Sequence, residues 1–145
     1  MRKRRTLAWA RRALGETAPT VASLLGLAER PFTVRWMDDG TGAAHCHSHE
    51  GIICVNWSWF RVHPKDLGCL SHEYTHLLQD VPGGTCPEEV VEGIADAVRF
   101  LLGQYDPHWW SPSAWASRIA DLPRRDLRSL ARLMAEGRYP EFEWP

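Results

Sequence analysis

Long apolar runs are missing from this 145-residue sequence. Nothing approaches the roughly 18 consecutive apolar residues of a membrane-spanning helix, so no bilayer span is expected. Net charge is nearly absent too, at −1 with histidine neutral, and bulk electrostatics therefore point to no particular partner. The four cysteines, Cys46, Cys54, Cys69 and Cys86, are too few for a disulfide-built scaffold. None stands in a CxxC pair, which argues against a zinc ribbon or a thioredoxin-like redox site, and they read as reduced, partly buried thiols. Internal repeats, low-complexity tracts and linkers are also lacking. With 44% hydrophobic and 24% charged residues, the chain reads as one globular domain spanning 1–145, and a monomer is expected.

The start, Met1-Arg2-Lys3-Arg4-Arg5, has the charge of a signal-peptide n-region, but Arg11, Arg12, Glu16 and Pro19 interrupt the apolar segment that should follow. A cytoplasmic location is therefore expected over secretion after processing. The same basic start reads as a solvated helix face, with no specific nucleic-acid contact expected.

What is present sorts into helices around a short sheet. Two N-terminal helices are expected within 1–30, from Thr6 to Leu14 and from Thr20 to Glu29, parted by Gly15 and Pro19. Within 31–63, Phe32 to Met37 reads as a strand closed by the turn signal Asp38-Asp39-Gly40, and Gly51 to Asn56 as a second strand. The stretch between them, Thr41 to Glu50, reads as a polar loop. Within 64–105, Pro64 suits the first position of a helix running through Leu78, and Pro87 opens another reaching about Tyr105. Two more helices are expected in 106–145, from Ser113 to Asp121 and from Pro123 to Glu136, the last closed by Gly137. The fold class is α+β with a small mixed sheet. The eight tryptophans read mainly as packing residues, with a substrate groove as the alternative for some.

The chemistry concentrates in His72-Glu73-Tyr74-Thr75-His76. Four residues along an α-helix bring side chains back to one face, so His72 and His76 can reach a single metal ion. Glu73 then sits beside that ion without ligating it, where a carboxylate can take a proton from water as a general base. Leu70, Leu77 and Leu78 make this an apolar, buried helix, in which two unpartnered histidines would be costly. A catalytic zinc takes three protein ligands plus water, so a third is required.

The following helix offers Glu88, Glu89, Glu92 and Asp96. Glu92 and Asp96 share a face, and Gly93 would let this helix approach the first. Glu92 is assigned as third ligand, with Glu89 as runner-up. Asp96 is assigned to orient a ligand histidine through its second ring nitrogen, the plainer reading being a pair with Arg99. Tyr105 and His108 are candidate donors to a transition-state oxyanion. His45-Cys46-His47-Ser48-His49 is dense in metal-capable groups and reads first as a solvated loop, with a second metal site at His45, His47 and His49 as the alternative.

The segments around His72-Glu73-Tyr74-Thr75-His76-Leu77-Leu78-Gln79 and Val91-Glu92-Gly93-Ile94-Ala95-Asp96-Ala97-Val98-Arg99 resemble the plant basic secretory protein family of metallopeptidases and their bacterial relatives. They are also similar, more broadly, to gluzincins. The resemblance implies a zincin-like fold in which the HExxH helix packs on the helix of the third ligand. It further implies Zn2+ on His72, His76 and Glu92, catalysis by Glu73, support from Asp96, and a peptide or protein substrate. It likens the strand from Ile52 to Asn56 to the edge strand with which zincins pair an extended substrate. Gly68-Cys69-Leu70-Ser71 is similar in compressed form to a peptide deformylase element, and Cys69 is read as a packing residue. A zinc amidase acting on a small substrate, and a noncatalytic module stapled by metal with Cys69 or His108 closing the shell, stand as alternatives.

Overall fold

A computed structural model describes residues 2–37 and 42–145; the expected turn at Asp38-Asp39-Gly40 lies outside them. The described residues form a mixed α+β fold with three short strands and six α-helices. None of these helices is long and apolar enough to cross a membrane.

The N-terminal pair of helices is in fact one, α1, running Lys3–Leu25 with Pro19 inside it. Proline there removes one backbone donor. The loss is offset because Ala10, Leu14, Ala18, Val21, Ala22 and Leu25 form one unbroken buried stripe. Each fully buried Leu or Val contributes about 1.5–3 kcal/mol. Gly26, at φ 68, ends the helix, with Leu27 N–H donating to the Ala22 carbonyl, four residues short of the expected Glu29.

Strands β1 (Thr33–Trp36) and β3 (Ile52–Val55) are both shorter than expected. Between them the expected loop contains a third strand, β2 (Ala44–His47), followed by a single 3₁₀ turn at Ser48–Glu50. The sheet order is β1-β3-β2, with β3 parallel to β1 and antiparallel to β2. Among the described residues β3 is therefore central, and β2 is the edge strand that borders the site. Val34, Ile53 and Val55 face the core, and their neighbours Thr33 and Arg35 face out.

A short helix unforeseen in the sequence, α2 (Trp57–Val62), follows β3, capped by the Asn56 side chain. The next helix, α3 (Leu67–Gln79), does not start at Pro64. Lys65 adopts a left-handed φ of 63, which parts Pro64 from the helix, and Asp66 takes the cap by accepting from Cys69 N–H at 3.3 Å. α3 lies at the centre of the fold, with α1, α4, β2 and α6 packed around it. Helix α4 (Glu88–Leu101) follows Pro87 as expected but stops before Tyr105. Gly103, at φ 66, turns the chain, and Gln104 N–H donates to the Arg99 carbonyl. Helices α5 (Ala114–Ala120) and α6 (Arg124–Ala135) lie within the expected ranges.

Gly93 does permit a close helix approach, but from α5: a Cβ there would stand 3.0 Å from Trp115 Cβ. The close approach on α3 is at Gly68, where a Cβ would collide with the Gln104 carbonyl and the Arg99 side chain. Arg99 is buried and pairs at 3.1 Å with Asp66, not with Asp96. Trp59 Nε1 donates to the other Asp66 oxygen at 2.9 Å, and the Arg99 guanidinium lies over the Trp110 ring, 4.7 Å from its centre. Asp66 thus ties the start of α3 to α2 and to the end of α4.

Candidate metal centre

The inner face of α3 is fixed before any ligand is considered. Leu70, Tyr74 and Leu77 are fully buried. The Tyr74 hydroxyl donates to the Arg30 carbonyl at 3.1 Å, its ring meets Phe32 edge-on, and the Arg30 guanidinium donates to the Leu77 carbonyl near the helix end. Rotation of α3 about its axis would break all of these contacts. His72 and His76 consequently project toward α4, with their side chains only 15% and 16% exposed.

There the two Nε2 atoms lie 3.0 Å apart with the rings nearly perpendicular, at 85°. Glu92 on α4 completes the group, with Oε2 2.9 Å from His72 Nε2 and Oε1 3.2 Å from His76 Nε2. Three ligands at about 2.0–2.1 Å from a tetrahedral zinc stand roughly 3.4 Å from one another. The donor set, two imidazoles and a carboxylate with all donor atoms within 4.8 Å, fits such an ion in both chemistry and spacing. Glu89 is exposed and outside this group. Asp96 Oδ1 lies 2.7 Å from His72 Nδ1, on the far side of the ring from Glu92.

The electrostatics follow from this enclosure. Burial pulls the His72 pKa down, but hydrogen bonds to Asp96 and Glu92 outweigh it and raise it to about 10. Hydrogen bonds from His72 and then from His76 hold the Glu92 carboxyl far below the usual carboxylate range. Glu73 is 8% exposed, and burial pushes its pKa up against the lowering charges of His72 and His76.

Two clefts meet at Glu73. One is lined by Ala44 and Cys46 of β2, His76, Val91 and Glu92, and the other by Trp59, Cys69, His72, Asp96, Trp109 and Trp110. Cys46 is a residue that sequence reasoning missed. Its thiol is pushed up to about 12 by burial and then by the Glu73 charge. The available signal was alternation: in Ala44-His45-Cys46-His47 only every second side chain can face the core.

Tyr105 and His108 are not brought to the site. The Tyr105 ring stacks on Phe100 and packs against Trp110, while His108 is 90% exposed and bonds to Asp106 at 2.9 Å. Cys69 is buried, as expected of a packing residue, and is not among the converging donors.

Residues 60–120 match the family model BSP, a peptidase of plants and bacteria. The resemblance to the plant basic secretory protein family is thereby borne out over that segment. The BSP match runs from α2 to the end of α5 and so includes Glu73, all three converging donors and Asp96. No curated protein and no solved structure matches the chain. The BSP description supplies a coarse peptidase assignment and leaves metal and mechanism to the geometry.

Proposed function

We propose that the chain is a zinc-dependent peptidase of the zincin type, in which His72, His76 and Glu92 hold the metal and Glu73 is the general base. The observation that carries this reading is the convergence of His72 Nε2, His76 Nε2 and the Glu92 carboxylate, with buried Glu73 beside them and outside the donor group. Zinc held there would act as a Lewis acid, polarising the scissile carbonyl and acidifying water.

The protein groups then divide the remaining work. Asp96 accepts the His72 Nδ1 proton, which fixes the tautomer that leaves Nε2 free for the metal. Glu73 takes the proton of the attacking water and passes it to the leaving amine. Its raised pKa moves it toward the neutral range in which a general base works best. The strand offered to an extended substrate is β2, not the central β3, because among the described residues β2 is an edge strand and borders the cleft at Ala44 and Cys46. The Glu92 side chain is 46% exposed, so the cleft opens to solvent, which suits a peptide segment better than an enclosed small amide. Three converging donors, with Cys69 and His108 outside their group, favour an open fourth position over a closed staple.

The test is cleavage of an unstructured protein by the zinc-loaded chain, compared with Glu73→Gln. The substitution should leave zinc content unchanged and reduce the rate by about 10²–10⁴-fold. Full activity in Glu73→Gln would overturn the mechanism.

A further inference from the structure

The outer face of the sheet carries a second convergence of donors that the peptidase reading does not use. His45 and His47 are two apart on β2 and therefore share a face. Cys54 pairs directly with His45 across the antiparallel β2–β3 ladder, so its side chain emerges on that same face. Cys46, between the two histidines, pairs with core-facing Ile53 and points the other way, into the cleft with Glu73 and His76, and His45 borders the rim of that cleft. The two donor groups therefore lie on opposite faces of β2.

The geometry of the outer group repeats that of the inner one. His45 Nε2 and His47 Nε2 stand 3.2 Å apart with the rings at 87°, against 3.0 Å and 85° for His72 and His76. Two neutral rings can share one hydrogen bond across that distance, a modest gain between solvated groups, and when protonated they repel. Two ligands of one ion must bring those nitrogens together. The third donor is the free thiol of Cys54, and all three donor atoms lie within 4.8 Å of one another. Cys54 is only 4% exposed although its neighbour Arg35 on that face is exposed. His49, which the sequence had grouped with His45 and His47, is instead 96% exposed and turned to Asp80 at 3.7 Å.

We propose that His45, His47 and Cys54 form a second metal site, for a borderline-soft ion of the zinc class, on the outer face of the sheet. Two imidazoles and a thiolate select zinc or copper over magnesium or calcium, which prefer oxygen. On binding, the Cys54 thiol proton passes to solvent and the sulfur ligates as thiolate. The ion cross-links edge strand β2 to central strand β3. It thereby stiffens the strand that borders the catalytic cleft, a consequence that rests on the peptidase reading, whereas the binding itself does not.

Cobalt(II) distinguishes the two sites, because only the outer one contains sulfur. Titration of the metal-free chain with Co2+ should reach two equivalents, one of them giving a near-ultraviolet thiolate-to-cobalt charge-transfer band. His47→Ala, at an exposed position, and Cys54→Ser should each remove that band and one equivalent. His76→Ala should keep the band and weaken the other equivalent. Cys46→Ser should retain both. A single equivalent without the band in the wild type, or a band lost in Cys46→Ser and kept in Cys54→Ser, would overturn the proposal. Retention of the band in His76→Ala with loss of peptidase activity separates this site from the catalytic reading.

Discussion

Asp96 Oδ1 lies 2.7 Å from Nδ1 of His72, one helix away, and the opposite nitrogen of that ring faces Glu92. One imidazole is thus held from both sides, and its orientation is set by α4 before any metal arrives. A carboxylate so placed typically governs metal affinity by about 10–100-fold. Asp96→Ala should therefore weaken zinc binding by that factor in a chelator competition while the fold persists by circular dichroism. Unchanged affinity would mean that Asp96 does not position the ring.

Glu92 and Glu89 separate the ligand assignment cleanly. Glu92→Ala should lose one equivalent of zinc on dialysis, as measured by metal analysis, and Glu89→Ala should keep it, since Glu89 is exposed and outside the converging group. The reverse result would reassign the third ligand.

Zinc uptake should release a proton. In the metal-free protein His72 is raised to about 10 by Asp96 and Glu92 against the pull of burial, so its ring is charged at neutral pH. The stability it contributes is fully present below its unfolded value near 6.5 and is lost as pH rises through about 10. Zinc needs the neutral ring, so apparent affinity should rise by about tenfold per pH unit across the neutral range for this one proton. Calorimetric titrations of Cys54→Ser, which lacks the outer thiol, in buffers of different ionisation enthalpy would measure the release, and buffer-independent heats would contradict it.

Asp66 is predicted to matter for stability and only indirectly for chemistry. Its carboxylate caps α3, accepts from Trp59 and pairs with buried Arg99. Removing one partner of a buried pair typically costs about 3–5 kcal/mol, because the other charge is left stranded. Asp66→Ala should lower the denaturation midpoint accordingly; a change below about 1 kcal/mol would show that Arg99 finds another partner.

Gly93→Ala tests the packing of α4 on α5. The added methyl would meet Trp115 Cβ at 3.0 Å and Ile119 Cδ1 at 3.2 Å, and overpacking of this kind typically costs about 1–3 kcal/mol. Urea unfolding should show that loss.

Much of the site was legible in the sequence because it is local. His72 and His76 announce themselves by helical spacing, and Glu92 and Asp96 by the same spacing on the next helix. What was not legible depends on partners remote in sequence. Pro19 is a strong local breaker, and only the buried stripe from Ala10 to Leu25 shows why α1 runs through it. β2 was read as a polar loop because its histidines are polar; its pairing with β3 supplies what its own residues do not show. Cys54 joins His45 and His47 only through that pairing, so spacing alone offered His49 in its place. Tyr105 and His108 follow the Glu92 helix closely in sequence, yet the left-handed turn at Gly103 intervenes and the site does not include them. Arg99 passes over Asp96, on its own helix, for Asp66, a choice no local pattern encodes.

The converging donors, the base and the orienting carboxylate all come from α3 and α4, with His72 and Asp96 only 24 positions apart. Bringing ligands together across so short a closure costs little chain entropy, and each doubling of the loop would add only about 0.6 kcal/mol. The consequence is one of placement: the whole candidate centre sits on a single helical hairpin, so an ion bound there would brace α3 against α4 without calling on α1 or the sheet.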